Sequence, residues 1–201
     1  MNKTLNMALK LLIICAAAAL ALGVVNALTA PEIQRLEDEA KANALNDLTV
    51  KGKADANKEI VVEDNETVSS YYVIEDNNET IGYILYLSAK GYGGLMTVMA
   101  SYTVEGNVIG SVLMNNSETP GFGKKAEKEG YMDKFVGRGE DSNPIPLFSY
   151  QVEEEVDTVT GATITFMGVS TSLKEGSDFV KGGLKWVFLV RVSLNKTQFL
   201  L

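Results

Sequence analysis

One short run of this chain combines hydroxyls, a glycine and an acid at a spacing suited to phosphate chemistry: Asp157-Thr158-Val159-Thr160-Gly161-Ala162-Thr163-Ile164-Thr165. Residues 156–159 read as a short strand that enters a small-residue turn and then a helix. Gly161 permits backbone angles or a close approach denied to other residues, and Ala162 keeps the turn open. Thr163 then stands at or near a helix N-terminus, where unpaired backbone N–H groups and the positive end of the helix dipole favour a phosphate. A hydroxyl at such an end can contact a phosphoryl group or be joined to one. The competing structural reading is a plain strand–turn–helix junction capped by Thr160 or Thr163.

Other chemistries lack the residues they need. The chain contains no histidine, so the most frequent general base and the commonest metal ligand are missing. Cys15 is the single cysteine and lies within an apolar run, which leaves neither a disulfide nor an iron–sulfur cluster to be built from this chain alone. Redox work would have to be borrowed from an organic cofactor. With 18 Lys+Arg against 26 Asp+Glu, the net charge of -8 repels nucleic-acid phosphates, so no nucleic-acid partner is expected.

Two further segments carry signals of their own. Glu118-Thr119-Pro120-Gly121-Phe122-Gly123 contains a turn dipeptide, and Gly91-Tyr92-Gly93-Gly94 opens a strand with the look of a glycine hinge. Lys124 and Lys125 are the bases nearest the first of these. Such a pair offsets the negative charge of a bound phosphate or lies on a solvated helix face.

Taken together, these residues resemble the FMN-binding domain family. Asp157-x-x-Thr160-Gly161-Ala162-Thr163 is similar to the family's flavinylation motif, and residues 118–123 look like its Glu-Thr-Pro-Gly-Leu-Gly loop with Phe122 in place of leucine. Residues 91–94 resemble its Gly-Tyr-x-Gly. The family includes the G subunit of Rnf ion-translocating electron-transport complexes and the C subunit of sodium-pumping NADH:quinone oxidoreductases, and the G type is the better match. The resemblance implies FMN held as a covalent phosphoester on Thr163, with Asp157, Thr160, Gly161 and Ala162 as the frame recognised by a flavin transferase. It implies that Glu118, Thr119, Pro120, Gly121 and Tyr92 line the flavin. It further implies an electron-relay subunit, partnered by other subunits of a membrane complex linked to ferredoxin and NAD. After Thr165 the family usually runs Ser-x-Ala-Val, whereas this chain has Phe166-Met167-Gly168-Val169. A stand-alone exported or anchored flavoprotein remains an alternative, as does an exported binding domain in which the motif is only a capped turn.

The elements that must position these residues are legible in outline. Residues 11–25 carry no charge, and the apolar stretch reaches Leu28, close to the ~20 residues a bilayer core requires. Lys3 and Lys10 precede it and no acid occurs before Glu32. The positive-inside rule then predicts a single-pass anchor in a prokaryotic plasma membrane, N-terminus cytoplasmic and the rest extracytoplasmic. Val25-Asn26-Ala27 also suits signal-peptide cleavage. Thr29-Ala30-Pro31-Glu32 has the form of a capping box. Ile33, Leu36, Ala40, Ala44 and Leu48 then recur at helical spacing, predicting a second helix or a bent continuation.

From Glu59 the pattern turns to strands. Residues 71–74 and 81–87 flank a turn-rich stretch, and residues 95–104 and 108–114 flank Glu105-Gly106-Asn107, giving two hairpins. Residues 124–135 have helical content interrupted by Gly130, residues 137–150 read as loop, and residues 164–180 read as a final helix. In that helix Ile164, Met167, Thr171, Lys174 and Asp178 form a modest apolar stripe. The expected fold is α+β: an antiparallel sheet with packed helices, preceded by one N-terminal transmembrane helix. The expected divisions are anchor (1–30), helical stalk (31–58), FMN-binding domain (59–181) and a tail (182–201).

Overall fold

The computed structural model describes residues 3–77, 79–120, 123–128, 130–152 and 160–184. The strand expected at 156–159, Asp157, Gly121, Phe122 and most of the tail lie outside the described residues. The chain falls into two compact units, Met1–Lys41 and Ala42–Leu201.

Helix α1 runs from Lys3 to Leu48. Its N-terminal part is long and apolar enough to cross a membrane. The expected capping box is not formed. The helix continues through Pro31, so there is no N-terminus at that point to cap, and the Thr29 hydroxyl instead donates to the Val25 carbonyl at 2.9 Å. Proline removes one helical N–H, and the turns beyond it hold through side-chain pairs. Arg35 meets Glu32 at 2.7 Å and Glu39 at 3.1 Å, both at helical spacing.

The second unit is built on one antiparallel sheet. Its strands are β1 (Lys53–Ala54), β2 (Ile60–Val61), β3 (Val68–Asp76), β4 (Glu79–Lys90), β5 (Leu95–Thr103) and β6 (Val108–Asn115). The order is β1-β3-β4-β5-β6, with β2 also pairing to β3. Both expected hairpins are present. In the first, Asp76 pairs with Glu79 and Asn77 turns the chain with φ 48°, a left-handed angle asparagine tolerates. In the second, Gly106 takes φ 87° and Thr103 N–H bonds the Asn107 carbonyl at 2.9 Å.

The central strands are apolar on both faces, so the sheet must be covered twice. On one side Tyr83, Leu85, Leu87, Met96, Val98 and Tyr102 pack with Phe166, Val169 and Leu173 of helix α2 (Thr160–Phe179). On the other, Tyr72, Ile74, Ile84 and Met99 pack with Ala44, Leu45 and Leu48, the last turns of α1. A short π-helical turn, Val180–Leu184, follows α2.

Helix α2 departs from expectation in two respects. It begins at Thr160, four residues before the expected start, and the expected apolar stripe faces outward. Met167, Thr171, Lys174 and Asp178 are exposed, and Lys174 pairs with Asp178 at 2.5 Å. The buried face is instead Thr165, Phe166, Val169, Ser170, Leu173 and Ser177. Small residues decide this. A Cβ on Gly168 would stand 2.1 Å from the Lys90 carbonyl oxygen, so this face alone lets the helix approach the sheet so closely.

Candidate functional site

Three stretches that carry separate signals in the sequence converge on one carboxylate. Glu118 lies after the end of β6 and is only 3% exposed. Its Oε2 accepts the Thr165 hydroxyl at 2.6 Å, and its Oε1 accepts the Gly93 N–H at 2.9 Å. The loop between β4 and β5, the segment after β6 and the first turns of α2 are thereby tied at a single point. Glu118's own N–H is held by the Asn116 carboxamide oxygen at 3.1 Å, which sets the turn that aims the side chain inward.

Glycines make room for this arrangement. A Cβ on Gly91 would sit 2.0 Å from Glu118 Oε1, and one on Gly123 would sit 2.0 Å from Oε2 and 2.7 Å from the Thr165 hydroxyl oxygen. No other residue type fits at either point without moving the carboxylate.

Thr160, Gly161, Ala162 and Thr163 form the first turn of α2. The opening turn of an α-helix leaves its N–H groups without intrahelical acceptors, so the motif's backbone supplies donors to an anion. Thr163 is half-buried, two residues before the buried Thr165, whose side chain is pinned to Glu118. Phe166 then anchors the helix from below, against Tyr131 at 6.3 Å and Phe135 at 5.3 Å between ring centroids.

Exposed apolar side chains stand on two of the stretches that Glu118 ties together. Tyr92 is 61% exposed, Leu95 67% and Met167 37%. Leu95, Ile164 and Met167 share a cleft of about 700 Å³ along α2 with polar residues that include Asp64, Glu66 and Glu175. Glu175 in turn accepts the Thr67 hydroxyl from the opposite wall. Thr119 and Pro120 are exposed. Lys124 pairs with Glu127 at 3.5 Å on the surface. The Asn116 amide (2.9 Å) and then Lys124 hold the Glu127 carboxyl below its ordinary range.

Sequence reading did not single out Thr165 as a partner of Glu118, nor Leu95, Ile164 and Met167 as one surface beside Thr163. The only signal for the first is a second hydroxyl two places after Thr163. For the second, the offset of Met167 from the true buried face would have served.

Residues 91–178 match the FMN-binding domain family, so the resemblance drawn from the motifs holds over the part of the chain that builds this site. Among characterised proteins, similarity extends to the G subunit of the proton-translocating ferredoxin:NAD(+) oxidoreductase complex of Clostridium ljungdahlii. Identity there is 30% over 102 residues, covering 51% of this chain and 55% of that protein. The G subunit of the ion-translocating oxidoreductase complex of Cereibacter sphaeroides is 32% identical over 95 residues, 45% of this chain and 42% of its own length. The G subunit of the Na(+)-translocating ferredoxin:NAD(+) oxidoreductase complex of Acetobacterium woodii is 28% identical over 98 residues, 47% of each chain. The chain thus spans about half the length of the curated relatives it matches.

Proposed function

We propose that this chain is an electron-transfer subunit of a membrane-bound, ion-translocating oxidoreductase, and that it carries FMN joined through its phosphate to Thr163. The observation that carries the reading is the position of Thr163, in the opening turn of the helix within the stretch that matches an FMN-binding domain.

The residues present fit such a group. A hydroxyl and a helix N-terminus suit a flavin phosphate, and the mixed polar and apolar cleft that begins at the next residue offers the ring an apolar patch of Leu95, Ile164 and Met167. First-turn N–H groups hold the phosphate, and Thr163 tethers it. Leu95, Ile164, Met167 and Tyr92 offer apolar surface for the ring, with the exposed Thr119 and Pro120 in the segment after β6. When bound, FMN supplies exchange of either one or two electrons, which no side chain of this chain offers. Thr163 is not an acid or base in turnover.

Attachment balances as a phosphoryl transfer. The Thr163 hydroxyl oxygen forms a new P–O bond to the flavin-side phosphorus of FAD, the phosphoanhydride bond breaks, AMP leaves and the hydroxyl proton is released. A flavin transferase reading Asp157, Thr160, Gly161 and Ala162 performs it. Partners in the assembled complex are its other subunits, with ferredoxin and NAD at the ends of the electron path as in the names of the relatives. The helix through residues 11–28 anchors the chain, and the positive-inside rule sets the domain outside the cytoplasm.

The test is coexpression with a flavin transferase, followed by intact-mass measurement and a denaturing gel viewed by fluorescence. Wild type gains the mass of one FMN less water and fluoresces; Thr163→Val does neither. A wild-type chain of unmodified mass, or fluorescence that persists in Thr163→Val, overturns the assignment.

A further inference from the structure

We infer that Glu118 is a positioning residue for flavin attachment: it clasps Thr165 and the Gly93 backbone, and so sets where the Thr163 hydroxyl presents itself, without touching the flavin. This rests on the reading of Thr163 as the attachment point.

The geometry leaves little else for Glu118 to do. Both oxygens are engaged inside the protein, and the residue is almost fully buried. Gly91 and Gly123 press on them so closely that a single methyl at either position would collide. A carboxylate hidden from solvent, with a donor on each oxygen and a glycine pressed against each, has no face to offer a ligand. Its partners, however, belong to the two walls of the site. Gly93 adjoins the exposed Tyr92 and precedes Leu95. Thr165 lies two residues after Thr163 on a rigid helix, so fixing one fixes the other's height and rotation. Charge-assisted hydrogen bonds are the strong and directional ones, which suits them to holding a nucleophile in line. Phosphoryl transfer depends on such alignment, because positioning contributes most of what a protein can add to it.

The experiment measures loading of full-length protein by the transferase under saturating and limiting transferase, with melting temperature recorded for every variant. Thr165→Val removes the donor while keeping the shape. It is expected to load about tenfold more slowly at saturation, with the half-saturating concentration unchanged, because the recognised frame is intact. Thr165→Ser restores the hydroxyl and the rate. Glu118→Leu slows loading as Thr165→Val does, and the two together are no worse than either alone. Glu118→Gln, whose amide can meet both partners once the hydroxyl reverses its role, loads near the wild-type rate. Its attached flavin keeps an unchanged visible spectrum and reduction potential.

Wild-type loading in a folded Thr165→Val overturns the inference, as does a shifted flavin spectrum or potential in Glu118→Gln, which would mean direct contact. Loss of folding in both Thr165→Val and Glu118→Leu also overturns it, by making the pair part of the folding core. Failure of the wild type itself to load sinks the attachment reading instead.

Discussion

Gly176 lies so close under Tyr102 that a Cβ there would stand 2.5 Å from the phenolic oxygen and 3.0 Å from the ring carbon bearing it. That oxygen belongs to a fully buried side chain and donates to the Leu173 carbonyl at 3.0 Å. Strand β5 and helix α2 are therefore joined by a hydrogen bond that only a glycine on the helix permits. Together with Gly168 against Lys90, it fixes the depth at which α2, and hence Thr163, is set on the sheet.

Gly176→Ala is expected to destabilise the domain by about 1–3 kcal/mol through overpacking. Chemical denaturation with an unchanged slope would register it as a lower midpoint. Because the methyl and the phenol compete for one space, Gly176→Ala with Tyr102→Phe should cost less than the sum of the two single changes.

Burial pushes the Tyr102 hydroxyl well above its ordinary range. A raised folded pKa means that the neutral form belongs to the native state. The contribution is complete below the unfolded tyrosine value, about 10, and is lost as the pH climbs from there toward the folded value. Alkaline unfolding followed by circular dichroism should therefore steepen above about pH 10. Tyr102→Phe should remove that component, at the cost of one buried hydrogen bond, about 1 kcal/mol at neutral pH.

Gly123→Ala should sharply reduce flavin loading, since the added methyl would displace Glu118 and Thr165 together. Gly182→Ala is the control: nothing lies within 4 Å of a Cβ placed there. Gel fluorescence after a fixed loading time distinguishes the two, and equal loading would remove the steric argument around Glu118.

Leu48→Ala should cost about 2–5 kcal/mol, because Leu48 is 3% exposed and packs with the cluster that includes Ile84 and Met99. Denaturation in detergent would measure it. A change within experimental error would mean that the end of α1 is not part of the domain's core.

Much of the scaffold could be read from local signals. Asn77 and Gly106 turn their hairpins because each tolerates a positive φ, and the apolar runs between those turns declare a sheet before any contact is known. The apolar run from Leu11 announces a spanning helix by length alone. The phosphate-suited motif also reads locally, because its parts are consecutive in the chain.

Other features depend on distance. Thr29 to Glu32 spells a helix start, yet a longer helix absorbs it, since a capping preference is a weak term against continued backbone pairing. The stripe through Ile164, Met167 and Thr171 looks as apolar as the true buried face, because glycine and serine carry no hydrophobic signature even where they permit the closest packing.

What the residues determined by themselves was the kind of chemistry: no histidine, no usable cysteine pair, and a threonine where a helix offers its N–H groups. Which face of α2 turns inward, and that Glu118 meets Thr165 across 47 residues, were decided only by tertiary structure. A hydrogen-bond partner so far along the chain leaves no local periodicity, and it comes within reach only after the sheet has closed and the helix has settled onto it.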